Sequence, residues 1–181
     1  VRFKIIVSAD RMCLWNGVCK MIFRKSKAEE VEKLFSEGYK VWSKNRSFEK
    51  YSDDNSKEDA YGTRFVLEDN EEIVSSLIWL DMKSINGKKV YGIGSVLTPA
   101  IYKHKGYATE LLKNCLQQIS TDESIVFLYS EVNPAFYERF QFRVLPANLQ
   151  KDADSICMVL CDDEMWKELL NGSIEPIPDH F

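Results

Sequence analysis

Histidine is nearly missing from this chain: only His104 and His180 occur in 181 residues. The five cysteines (Cys13, Cys19, Cys115, Cys157, Cys161) show no ligand-like spacing, so no zinc constellation is evident and no metal is expected. Their count is odd and lacks framework spacing, and a chain of this length can bury a core without a disulfide scaffold. Cys157 and Cys161 fall on one apparent strand at even spacing and share a face, which reads as reduced core thiols. No apolar run is long enough to cross a bilayer and no secretory signal is visible, so a cytoplasmic, reducing setting without a membrane partner is the default expectation. A surplus of positive charge is also lacking. The net charge of −4 argues against nucleic acid as a general partner. Repeats, low-complexity tracts and linkers are absent, which leaves one domain over residues 21–181. Residues 1–20 carry no periodicity. They read as an extension of uncertain structure, a misassigned start, or an added edge strand through Phe3 to Val7.

What is present alternates between strand and helix patterns. Residues 21–24 read as a first strand, and Ser26 with Glu29 fits a capping box. Val31, Leu34, Phe35, Tyr39 and Trp42 then recur at helical spacing, which places Trp42 in the core by helical phase. Residues 47–61 are rich in Asp, Asn and Ser and read as a short helix or an irregular segment. Residues 63–67 and 73–82 read as strands joined through Glu68-Asp69-Asn70, and Asn86-Gly87 marks a second hairpin before a strand over residues 89–97. A helix over 106–119, a strand over 124–129, a short helix over 134–140, strands over 141–145 and 155–161, and a helix over 164–170 complete the order. Meandering strands followed by crossovers imply an α/β fold with a mixed sheet. Acidic residues crowd the first third of the chain, from Glu29 to Asp59. They are either a solvated face or a field that attracts a cationic acceptor.

The densest signal is YGIGSVLTPAIYKHKGYATELL, beginning at Tyr91. An apolar strand stops at Thr98-Pro99, a basic loop (Lys103, His104, Lys105) meets Gly106, and an amphipathic helix begins at once. Free N–H groups and the positive end of a helix dipole point at any anion held there, and Gly106 allows close backbone approach. On residue types alone, a phosphate site and an ordinary strand-to-helix turn stand level.

The stretch resembles motif A of the GNAT acyl-CoA N-acyltransferases, Q/R-x-x-G-x-G/A, written here Lys103-His104-Lys105-Gly106-Tyr107-Ala108. FLYSEVNPAFYERFQFRVLP, from Phe127, is similar to motif B, with Phe136-Tyr137-Glu138-Arg139-Phe140-Gln141-Phe142 in place of F-Y-E-[KR]-x-G-F. The likeness covers roughly residues 21–161, and motif B looks especially like a subgroup that includes fungal lysine N6-acetyltransferases. It implies the GNAT fold, a mixed central sheet flanked by helices on both faces, and acetyl transfer from acetyl-CoA to a primary amine by direct attack in a ternary complex.

The resemblance also assigns roles. Backbone groups along Val96, Leu97 and Thr98 would pair with the pantetheine arm. The pyrophosphate would lie on Lys103, His104, Lys105, Gly106, Tyr107, Ala108 and Thr109. Asn133 would touch the arm, and Tyr137 would protonate the CoA thiolate. The strand carries no carboxylate between Lys89 and Thr98, so the base falls to Glu131, to Asp81, or to a chain of waters. Acceptor contacts are expected from Trp42, Arg46 and Tyr51, and a small amine, free lysine or a peptide amine all fit. Three positions depart from the motifs. Lys103 replaces Gln or Arg, His104 stands where many members have Gly, and Gln141 replaces the Gly before the last Phe, which puts two turns in question. A catalytically inactive CoA-binding module and a purely structural α/β domain are the other readings. Monomer and homodimer both stay open.

Overall fold

The computed structural model describes residues 21–172, 177–179 and 181. The expectations for residues 1–20, including Cys13 and Cys19, and His180 lie outside these residues. Strands β1 (Met21–Lys25), β2 (Gly62–Asp69), β3 (Glu72–Ile85), β4 (Lys88–Leu97), β5 (Ser124–Ser130), β6 (Arg143–Val144) and β7 (Ile156–Leu160) join in one sheet. Their order is β1-β2-β3-β4-β5-β7-β6. Among the described residues, only the β4–β5 pair is parallel; the others are antiparallel. Helices α1 (Val31–Trp42) and α2 (Phe48–Ser56) link β1 to β2, and α3 (Tyr107–Leu116) makes the crossover from β4 to β5. α4 (Ala135–Glu138) and α5 (Asp163–Leu170) follow.

Local chemistry accounts for most element ends. Asn70 and Glu71, then Asn86 and Gly87, have positive φ in pairs, the geometry of tight hairpin turns that match strand twist. The first of these turns shares only Asn70 with the expected Glu68-Asp69-Asn70, because β2 runs on to Asp69. The capping carboxylate before α1 is Glu30, accepting from the Lys27 N–H at 2.8 Å, one residue later than the Ser26/Glu29 box expected. Residues 48–56 are helical because Ser47 caps them, its Oγ accepting from Lys50 N. Asp54 then gathers Lys50, Lys57 and Arg46 around one carboxylate, so much of the acidic run is neutralised locally. The strand expected over 141–145 is only two residues long, because Gln141 turns with φ 69° before it.

Two cores sit on opposite faces of the sheet. On one, Leu67, Val74, Leu77, Ile93 and Leu128 meet Leu111, Leu112 and Cys115 of α3 and Tyr137 of α4. On the other, Val90, Phe127, Cys157 and Val159 meet Met165 and Leu169 of α5, and Cys161 lies in the same core as Cys157. Strand alternation separates Phe65 and Leu67, facing α3, from Arg64, whose guanidinium lies 4.7 Å over the Phe35 ring of α1. Helices therefore cover both faces, as the mixed-sheet expectation required. Leu111 and Leu112 are fully buried, and each such side chain contributes about 1.5–3 kcal/mol.

Candidate active site

β4 and β5 pair from Lys89↔Ser124 to Ile93↔Leu128 and no further, although both strands continue. A gap opens between them beyond that point. On its other side β4 is bulged: Ser76 pairs with Leu97 and Ile78 with Gly94, so β4 spends three residues where β3 spends two. Ser95, with φ 49°, marks the extra residue. Ser75 fixes the strand end, its hydroxyl donating to the Leu97 carbonyl at 3.0 Å and lying 2.9 Å from the Thr98 hydroxyl. Leu97 thus turns its polar backbone toward β3. Alternation turns that of Val96 toward the gap, while the Val96 side chain packs on the α3 core.

The loop above the gap holds Lys103, His104, Lys105 and Gly106, all exposed. Gly106 is the N-cap of α3 in the left-handed conformation, φ 85°, and offers no side chain to the first helical amides. The first amide bonded within the helix is Glu110 N, to Gly106 O at 3.0 Å. The N–H groups of Ala108 and Thr109 come before it and have no intrahelical acceptor. A methyl built on Gly106 would meet nothing within 4 Å. Space, amide donors and two lysines therefore coincide, a donor set that fits a pyrophosphate. The Tyr107 hydroxyl donates to Asp69 at 2.6 Å and ties this helix start to the end of β2. His104, which stands where many members of the resembled family have Gly, takes φ 63°, and Gln141 takes φ 69°. Both non-glycine residues hold the left-handed conformation that glycine adopts most readily.

Tyr137 is buried on the α3 side, edge-on to Phe136 at 4.9 Å and to Phe142 at 6.2 Å. Burial pushes its phenol up to about 12, so it is protonated at any ordinary pH. Asn133 is exposed, and its side-chain oxygen accepts from Ala135 N at 2.9 Å, which starts α4. Glu131 bridges to the turn after α1: Trp42 Nε1 donates to it at 2.8 Å and Lys44 Nζ at 3.2 Å. Asp81 pairs with Tyr91, within the stretch where β4 and β5 are still paired.

Trp42 is half-buried rather than core. With Tyr51, Arg64, Ser76, Ser95 and Leu97 it lines a narrow pocket against the bulge. Arg46 is drawn away from this pocket by Asp54 and lies 5.1 Å over the Tyr51 ring. Sequence reading passed over Ser75, the Ser95 bulge, and Gly92 with Gly94. The two glycines inside a strand were a legible sign of a bulge or a close backbone approach.

Among the described residues, no cluster of His, Cys, Asp and Glu could hold a metal ion, and no helix is long and apolar enough to cross a membrane. No curated protein matches the chain significantly. Solved structures do match. An acyl-CoA N-acyltransferase from Pseudomonas aeruginosa is 16% identical, with 77% of this chain aligned to 99% of that one and a TM-score of 0.60. Arabidopsis thaliana Naa50, in complex with the bisubstrate analogue CoA-Ac-MVNAL, is 18% identical over 77% of this chain and 96% of that one, with a TM-score of 0.58. A conserved Enterococcus faecalis protein of unknown function is 15% identical over 70% of this chain, TM-score 0.57, but the match spans only 33% of its length. At these identities the likeness is one of fold. A family model described as an acetyltransferase (GNAT) domain matches residues 23–145, more than half of the chain, taking in the bulged strand, the Gly106 loop and Tyr137. The chain belongs to the GNAT acetyltransferase family.

Proposed function

We propose that the protein moves an acetyl group from acetyl-CoA to a primary amine by direct attack in a ternary complex. The observation that carries this reading is the gap between β4 and β5 lying beneath a glycine-capped, lysine-bearing helix start. The cofactor pyrophosphate would rest on the N–H groups from Lys103 to Thr109. The pantetheine arm would pair with the backbone of Val96 and Thr98, continuing the sheet across the gap. Tyr137 donates its proton to the departing thiolate, a task suited to a phenol held neutral by burial. The amine must lose a proton before it attacks. Glu131 is the carboxylate offered for this, and its ion pair with Lys44 must open for the acceptor to take that place. A water relay to solvent is the alternative route. Trp42 and Tyr51 line the pocket on the acceptor side of the bulge. The acceptor is a small amine, free lysine or a peptide amine.

Gly106→Glu tests the cofactor site. Its left-handed φ and the anion it introduces both oppose pyrophosphate binding. Acetyl-CoA at about 100 times its Kd should stabilise the wild type by about 2.7 kcal/mol in thermal unfolding. The variant should lose that shift and lose amine-dependent thiol release. A shift without thiol release on any amine would favour the inactive binding module.

A further inference from the structure

The segment Ile177–Asp179 with Phe181 is held across the sheet face opposite α3. Ile177 is buried in the second core, and the Tyr129 hydroxyl donates to the Pro178 carbonyl at 2.6 Å. Lys151 bonds the Ile177 carbonyl and also Asp179 at 2.8 Å. These anchors lay the Phe181 ring edge-on to Tyr129 at 5.5 Å and onto β4 at its two glycines. A methyl on Gly92 would stand 2.8 Å from the ring, and one on Gly94 would stand 3.9 Å from it. Gly92 and Gly94 therefore form a notch that this ring fills, a role nothing in the cofactor site explains.

The notch runs from Gly92, where β4 and β5 still pair, to Gly94, the first β4 residue past their last pair. On the proposed function, on which this inference rests, the cofactor arm enters the gap from the loop side. It runs inward until β4 and β5 close at Ile93↔Leu128. Its reactive end then lies beside Gly94. The α3 face of the sheet is filled by Leu111, Leu112 and Tyr137, so the amine arrives from the opposite face, where Phe181 lies. We propose that Phe181 is the wall that sets the shape of the acceptor. It admits an amine carried on an unbranched methylene chain and turns away one carried on a branched or aryl-bearing carbon.

The test compares thiol release from acetyl-CoA with n-butylamine, sec-butylamine and benzylamine, for wild type, Phe181→Ala and Gly92→Ala. Gly92→Ala displaces the ring without removing it, so the two variants perturb the wall independently. The wild type should favour n-butylamine, and both variants should raise the relative kcat/KM for the bulky amines by about tenfold or more. The KM for acetyl-CoA should hold. A uniform fall across all three amines with selectivity unchanged would reduce Phe181 to a packing residue and overturn the proposal. If no amine releases thiol in any of the three proteins, the transferase reading fails, and the acceptor wall with it. Acetyl-CoA thermal shifts in the same samples separate that result from loss of the cofactor site.

Discussion

At the scale of single residues, Tyr137 and the two left-handed departures make distinct demands. Tyr137→Phe removes one hydroxyl from a packed ring, so the fold should persist while kcat falls about a hundredfold or more. The fall should appear in thiol release with acetyl-CoA binding intact. Because burial raises the phenol from about 10 to about 12, turnover should show no alkaline fall from this group until the pH nears 12. The same shift has a stability signature. The unfolded chain ionises this tyrosine first, so its contribution is whole below about pH 10 and is lost as pH rises toward 12. Chemical denaturation of wild type and Tyr137→Phe across that window reads the difference. His104 and Gln141 both hold positive φ without being glycine. His104→Gly and Gln141→Gly should each stabilise by about 0.5–1 kcal/mol, relief of left-handed strain exceeding the added unfolded-state entropy. Midpoints in urea would report it.

At the scale of elements, α5 depends on its cap. Asp162 accepts from Met165 N at 2.8 Å and pairs with Lys88, which lowers its carboxyl below the usual range. Asp162→Ala should cost about 1–2 kcal/mol and Asp162→Asn less, since asparagine also caps. That contribution is present above the unfolded value near 3.9 and fades as pH falls through the lower folded value. The gap between wild type and Asp162→Asn in denaturant midpoint should therefore close in acid. Elements of this kind were legible beforehand because their signals are local, as with the apolar period of α1 and the turn at Asn86-Gly87. The resemblance located Gly106 and Tyr137 through motifs that are also local. The Phe181 notch, the Trp42–Glu131 bond and the exact bulge at Ser95 were not legible, because each joins residues far apart in the chain or depends on strand register. Residues 141–145 misled for a related reason: strand-forming residues followed a left-handed turn that left room for only two paired positions.

At the scale of the whole molecule, the sheet has two parts of different character. Strands β1 to β4 form an antiparallel meander whose last three strands are joined by two tight turns, whereas β5 reaches β4 only through the α3 crossover. Closing that crossover costs more chain entropy, so the meander is the part able to form first. The gap between β4 and β5 lies on the border between the two. A ligand that lends its own hydrogen-bonding groups to that border makes one continuous sheet of two halves. Amide exchange should report this directly: Val96 and Thr98 should exchange readily in the free protein and slow on addition of CoA, while Val66 and Ile78 in the meander stay protected throughout. The coenzyme would then act as an eighth strand as well as an acyl donor, and the protein's resistance to unfolding would track the thioester supply.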